Sequence, residues 1–265
     1  MNPQWWQLGL MAASIALVMT VLWFIQWRRQ DASLVDAGWS AGIGMGAILL
    51  MLLGDGDGVR RLIAGVMIGA WSLRLTWYLI RDRLIGKPED GRYRMLRESW
   101  GKNAQPWFFL FFQFQGWLVV FFSLPFVIIA SATMPFGAWY DYLAIAIWLL
   151  ALSGETLADA QLARWRKDSA NHGRTCRGGL WRYSRHPNYF CEWLLWFSYV
   201  ALALTTTWWP LTLIVPMVLL FLILKVTGVP YTEKRALASR GDDYRAYQKS
   251  TSVFIPWFPK SESKS

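Results

Sequence analysis

The sequence predicts an all-α integral membrane protein, a single bundle of seven transmembrane helices with the N-terminus outside and the C-terminus in the cytosol. Hydrophobic residues make up 55% of the 265, and charged residues only 17%. Seven apolar runs come close to or exceed the roughly 20 residues that cross a hydrocarbon core. The segments joining those runs alternate between basic and uncharged stretches, as membrane loops do.

The runs lie at Trp5–Trp27, Ala37–Leu53, Leu62–Ile80, Pro106–Ala132, Ala138–Ala163, Tyr189–Leu204 and Trp208–Thr227. The first ends in "RRQD" and lacks both the basic leader and the small-residue cleavage site of a signal peptide, so it reads as a retained helix. After the second run "GDGDGVRR" is balanced in charge, and "SATMPFGAWYDY" and "TTTWWP" carry no Lys or Arg. By contrast "QWRRQD", "RDRLIGKPEDGRYRMLRESWGK", "RWRKDSANHGRTCRGGLWRYSRHP" and the tail after Tyr231 are basic, which places them in the cytosol. That rule and anionic headgroups account for much of the net charge of +10. Nucleic acid is not expected as a partner, because the basic residues sit in juxtamembrane loops and no binding module interrupts the spans. Two cysteines, Cys176 and Cys191, are too few for a disulfide framework or a zinc site. With His172 and His186 the only histidines, no metal centre is expected.

Charged groups inside spans are costly and face a bundle interior. The third run carries Arg74, Tyr78 and Arg81 at i, i+4 and i+7, with Trp71 on the same face. The fifth carries Glu155, Asp159, Leu162 and Arg166 in one line. The sixth begins with Arg185, Asn188 and Glu192 at i, i+3 and i+7. One reading is that these groups pair with each other across helices; the other is that they line a ligand pocket. The inventory suits a dinucleotide or a nucleoside phosphate. Arginine forks match phosphate oxygens, helical carboxylates accept from ribose hydroxyls, and Asn188 with Glu192 can bond a carboxamide. Pro187 fits a first helical turn, whose free amides would face polar ligand atoms. No glycine-rich fingerprint follows a strand, which excludes a Rossmann domain.

"RGGLWRYSRHPNYFCEW" resembles the signature of the steroid 5α-reductases, the membrane sterol reductases and their small bacterial relatives. Isoprenylcysteine carboxyl methyltransferases carry a looser form centred on "RHPxY". "YTEKRALASRGDDYRAYQKSTSVFIPWF" resembles the tail of the same families, "ETLADAQLARWRKD" their preceding helix, and Arg74 with Tyr78 in "RLTWYLIRDR" an arginine and tyrosine of the reductases. Trp71 stands where the reductases place a carbonyl-facing tyrosine, and Cys191 where glycine is usual. The resemblance implies NADPH entering from the cytosolic side of a bacterial inner membrane and a lipid-like substrate entering from the bilayer. It implies substrate-side helices in residues 1–135, cofactor-binding helices with the signature in 136–258, and a disordered tail at 259–265. Asp159, Arg166, Arg174, Tyr183, Arg185, His186, Asn188 and Glu192 would hold the cofactor, with Arg74 near its phosphates or nicotinamide end. The implied reaction reduces the C=C bond of an enone, a 3-oxo-4-ene steroid being the type substrate. Tyr78 and a protonated Asp36 are the expected hydrogen-bond donors to the developing enolate; a cap of the second helix is the equal alternative for Asp36. A methyltransferase using S-adenosylmethionine, and a non-catalytic sterol- or lipid-binding protein, are the rival readings.

Overall fold

The computed structural model describes residues 2–260. It is all-helical among those residues, running α1 (Trp6–Arg29), α2 (Leu34–Leu53), α3 (Gly58–Leu79), α4 (Gly91–Trp100), α5 (Ala104–Phe122), α6 (Leu124–Ala130), α7 (Trp139–Lys167), α8 (Pro187–Ala203), α9 (Trp209–Thr212), α10 (Ile214–Phe221) and α11 (Val229–Ser250). A π-helical turn follows α3 at Ile80–Leu84 and another follows α10 at Leu222–Val226. Two compact units divide the chain, Met1–Gly137 with Leu202–Thr212 and Ala138–Ala201 with Leu213–Ser265.

Six helical stretches are long and apolar enough to cross a membrane: Trp6–Arg29, Leu34–Leu53, Gly58–Leu84, Gly91–Ala130, Trp139–Lys167 and Trp209–Ser250. The protein is therefore a helical membrane protein. The sixth expected span is present as α8, but its 17 residues extend only about 26 Å at 1.5 Å per residue. Two expected spans are interrupted, in both cases beside a proline. Pro125 lies in the first turn of α6, so the fourth run breaks at Ser123 into α5 and α6. Pro216 lacks the N–H that would have bonded Thr212, and the seventh run breaks between α9 and α10. Of the tail expected to be disordered, residues 261–265 lie outside the described residues, while the Lys260 N–H donates to the Ser250 carbonyl at 2.9 Å.

In the first unit α2 packs against α1, α3, α5 and α6. Its small residues make that possible. A Cβ on Gly44 would lie 2.2 Å from Ser72 Oγ, and one on Gly46 2.7 Å from the Met11 sulfur. Ser72 donates to the Ser40 carbonyl at 2.8 Å, and the Ser40 and Thr76 hydroxyls meet at 2.6 Å. Close backbones and hydroxyl bonds are what hold helices together where no hydrophobic effect acts between them. Between α2 and α3 the Gly56 and Asp57 amides donate to Ala130 and Ala132 carbonyls at 2.9 and 2.7 Å. Asp57 then caps α3 by accepting from the Arg60 amide at 2.9 Å. Arg60 itself is fully buried and donates to the carbonyls of Leu202, Met134 and Pro135.

Asp36 ties α4 to this unit. Helix α2 begins at Leu34, earlier than the apolar run suggests, so Asp36 lies inside its first turn and makes no cap. Its carboxylate accepts from Arg83, from Arg92 at 2.7 Å and from the Tyr93 hydroxyl at 2.5 Å. Asp90 pairs with Arg92 at 3.1 Å and caps α4. Burial alone would raise the Asp90 carboxyl, but hydrogen bonds from Arg92 and the charges of Arg92 and Arg83 hold it below the usual carboxylate range. Beside this cluster Glu89 pairs with Arg97 at 2.7 Å, and Arg97 reaches Gln26 of α1 at 3.3 Å.

In the second unit α7 and α8 approach closely at Gly154, where a Cβ would lie 2.7 Å from Cys191 Sγ. Helix α11 is polar and kinks at Gly241, whose φ of +51° suits glycine. Ala236, Tyr244 and Tyr247, joined by Leu237, form its own buried cluster.

Removal of the Asp36 carboxylate leaves two guanidinium groups facing one another. The Asp36→Ala variant is expected to lose about 2–3 kcal/mol, read as a melting temperature about 5 °C or more lower in detergent; an unchanged melting temperature would show that the cluster holds nothing. Because Asp90 is held low, its contribution persists from neutral pH through the ordinary carboxylate range. It is lost only as pH falls through the lowered value, so α4 should resist proteolysis at mildly acidic pH and yield below it.

Candidate functional site

The signature stretch lies between α7 and α8 and is fastened at both ends. Gly179 adopts φ +60°, and a Cβ there would lie 2.3 Å from the Gln161 side chain. Gln161 instead accepts from the Leu180 amide at 2.9 Å, and the Trp181 indole donates to the Ala158 carbonyl at 2.9 Å. Those bonds dock "GGLW" on α7. On the other side the Tyr247 hydroxyl donates to the Trp181 carbonyl and, at 3.1 Å, to that of Ser184. The Ser184 hydroxyl donates to Phe254 O at 2.8 Å, the Arg185 amide to Ser252 O at 2.8 Å, and the Trp257 amide to Tyr183 O at 2.9 Å.

Arg185 and His186 are absorbed by this fastening. Arg185 Nε donates to Glu233 Oε1 at 2.7 Å, and its Nη1 to the carbonyls of Gln248 and Thr251 at 3.0 and 2.8 Å. His186 is buried with Nε2 3.4 Å from the same carboxylate oxygen, and its ring stacks on Tyr189 at 5.4 Å. Gln248 and Tyr244 also donate to Glu233, at 2.7 and 3.3 Å. Through these contacts the two residues clamp α11. Helix α8 starts at Pro187, so Arg185 precedes the helix and the periodic face drawn through Arg185, Asn188 and Glu192 does not include it.

Asn188 and Glu192 do share a face of α8 and meet the polar line of α7. Asn188 Nδ2 donates to Asp159 Oδ1 at 3.1 Å, while its Oδ1 accepts from the Tyr189 amide at 3.0 Å. Glu192 accepts from the Trp196 indole at 3.1 Å. Glu155, Asp159 and Glu192 all lie close enough to Cys191 to act on it electrostatically. Three carboxylates and a carboxamide thus converge where two apolar helices pack. From Asp159 the face of α7 continues seven residues, about 10 Å, to Arg166, which is exposed, as are Arg174 and Tyr183. Arg166 and Arg240 act on Cys176, whose thiol is pushed up by burial and so stays protonated; it is no thiolate nucleophile.

Asp36, Arg74 and Tyr78 belong to the first unit. The Asp36 oxygens meet two arginines and a phenol, contacts that join α2 to the π turn and α4. Arg74 is half-buried on α3, and Tyr78 is exposed one turn further on. Arg81 falls within the π turn that follows α3. Trp71 is fully buried and meets Trp39 edge-on at 6.5 Å. Glu233 is the residue the sequence reading overlooked. Its signal was a carboxylate on the same helical face as Tyr244 and Gln248, eleven and fifteen residues along.

The family described as "Protein of unknown function (DUF1295)" matches residues 22–251. The chain belongs to the DUF1295 family. Its matched region takes in α2 to α11, and with them both carboxylate clusters and the signature stretch. An uncharacterized protein of Schizosaccharomyces pombe is 27% identical to this DUF1295 protein over 210 residues, covering 68% of this chain and 59% of the relative. The chain therefore matches less than two thirds of that relative's length. No solved structure gives a significant match.

Glu233→Gln removes the charge that Arg185 and His186 share. The expected result is a melting temperature about 5 °C or more lower and faster proteolysis between Ser252 and Lys260, because the bonds holding that segment start from the same clamp. Wild-type protease resistance in the variant would refute the clamp.

Proposed function

We propose that this DUF1295 protein is an NADPH-dependent membrane reductase acting on the C=C bond of an enone in a lipid-like substrate, with a 3-oxo-4-ene steroid as the type. The single observation that carries the reading is the carboxylate and carboxamide cluster of Glu155, Asp159, Asn188 and Glu192 between two apolar helices, continued along α7 to exposed arginine. Ionisable groups in spans are expensive and mark functional paths. Their chemistry fits the coenzyme: Asp159 and Glu192 can accept from ribose hydroxyls, Asn188 can bond a carboxamide, and Arg166 and Arg174 can meet phosphates. Resemblance of the signature to that of the steroid 5α-reductases supports the same choice, as it supports seven spans with the N-terminus outside and the cofactor residues facing the cytosol of a bacterial inner membrane.

When bound, NADPH supplies a hydride to the β-carbon of the enone. The chain's part is to orient and to stabilise charge. Asn188 and Glu192 hold the nicotinamide end through bonds that fix its angle. The resemblance supports the Tyr78 hydroxyl as the donor to the substrate oxygen as negative charge develops there. The apolar spans keep water from the reacting carbons, which strengthens the single donor's effect.

The test is the purified protein with NADPH and a 3-oxo-4-ene steroid, followed by nicotinamide absorbance and product mass. Asn188→Ala and Glu192→Gln are each expected to lower turnover about 100-fold with helix content unchanged, and Tyr78→Phe to lower kcat more than it raises KM. Binding of S-adenosylmethionine without binding of NADPH would replace the reading with a methyltransferase. Sterol binding with neither coenzyme would replace it with a binding protein.

A further inference from the structure

Arg177, Arg182, Ser250, Thr251 and Pro259 line an open pocket of about 300 Å³ within the second unit, the lower end of small-ligand sites. None of these residues belongs to the α7–α8 cluster. Arg177 is partly committed, its Nη2 donating to Asp243 Oδ1 at 2.8 Å and Asp243 O at 2.7 Å. The exposed Arg182 meets no carboxylate among the described residues. Ser250 and Thr251 add two hydroxyls 3.4 Å apart. Two guanidinium groups and two hydroxyls make a phosphate-accepting set.

The lip of the pocket is apolar. Pro259 ends a stretch in which Ile255, Trp257 and Phe258 are 60%, 70% and 76% exposed. Phe254 alone turns inward, packing on Phe190 and Trp193 of α8 with ring centroids 5.7 Å away in both cases. The outward rings are held in place, not loose: the Trp257 amide bonds Tyr183 O at 2.9 Å, and Phe258 meets the Tyr183 ring edge-on at 6.1 Å. This stretch is bonded to Ser184 and Arg185, immediately before α8 begins. Helix α8 is mostly apolar along its 17 residues, so the stretch bonded just before its first turn lies where a polar segment meets an apolar helix. Exposed tryptophan and phenylalanine beside arginine is the composition of a chain lying in the headgroup region.

We propose that this pocket and its aromatic lip hold an anionic phospholipid, with the phosphate on Arg182, Arg177 and the two hydroxyls and the acyl chains against Trp257 and Phe258. Charge complementarity selects the occupant: zwitterionic lipid offers the phosphate with a compensating cation, and an anionic lipid offers it without one. The site is independent of the reductase reading, since no cofactor residue lines it.

The experiment is native mass spectrometry of the full chain released from nanodiscs of phosphatidylcholine containing phosphatidylglycerol. Wild-type protein is expected to retain phosphatidylglycerol in preference to phosphatidylcholine. Arg182→Gln should lower that retention about fivefold, the worth of one basic residue near the surface, with an unchanged melting temperature. The Trp257→Ser, Phe258→Ser double variant should lower retention of both lipids. Equal retention of the two lipids by wild type, or no change in Arg182→Gln, would overturn the proposal. So would displacement of the lipid by inorganic phosphate or by NADPH alone, since either would make the pocket a site for a free anion.

Discussion

Lipid offers no hydrogen bonds, so a polar helix that leaves the bilayer must be tied to the spans by bonds the protein supplies itself. Here each unit meets that constraint with a carboxylate that receives cations and a tyrosine hydroxyl. Asp36 takes Arg83, Arg92 and Tyr93 and fixes α4; Glu233 takes Arg185, His186 and Tyr244 and fixes α11 against the signature stretch. Both arrangements follow a span that ends in a π turn. A π turn adds a residue to the helical ring and so changes which side chains face inward at the point of exit. In the first unit it is the π turn itself that carries Arg83. The placement of every residue in the signature depends on the second of these clusters, since that stretch touches α7 on one side and α11 on the other.

Apolar periodicity made the helices legible. Spans one to five were visible as runs, because hydrocarbon demands length and low charge and both are local properties. Where proline falls inside a run, local composition still reads as continuous, yet the missing N–H divides the helix, as at Pro125 and Pro216. The polar line of α7 and the Asn188–Glu192 pair were legible for the same reason: residues on one helix are related by a fixed rotation. The carboxylate clusters were not. Asp36 finds its partners 47, 56 and 57 residues away, and Glu233 reaches back 48 to Arg185. Nothing in the spacing of either acid announces such a partner. A buried-looking Asp beside glycines reads equally well as a donor or a cap, and neither reading names the Arg83, Arg92 and Tyr93 contacts it makes. Arg81 and Arg185 were misplaced by one assumption, that helical rotation continues through the end of a helix.

The α7–α8 cluster differs in kind from the two clasps. In each clasp the carboxylate has more cationic and hydroxyl donors than it has oxygens, and the function is fastening. Between α7 and α8 the contacts are of another type, with Asp159 accepting from the Asn188 carboxamide, Glu192 from the Trp196 indole, and Glu155 also near Cys191. Gly154 lets Cys191 approach the α7 backbone, which brings Cys191 within electrostatic reach of acids on both helices.

The basic residues sort by the same logic. Arg83, Arg92, Arg97 and Arg185 are spent on internal carboxylates, so the net charge of +10 overstates what faces a ligand or a membrane. Arg166, Arg174 and Arg182 are exposed; Arg166 lies in the last turn of α7, and Arg182 lies in the stretch that Glu233 fastens through Arg185 and His186. An exposed arginine on a mobile loop loses side-chain and backbone entropy when it meets a phosphate; one on a stretch already bonded to two helices loses less of the second. The clamp thus does more than hold α11: by fixing the backbone around Arg182 it lowers the entropic cost of any anion contact that side chain makes.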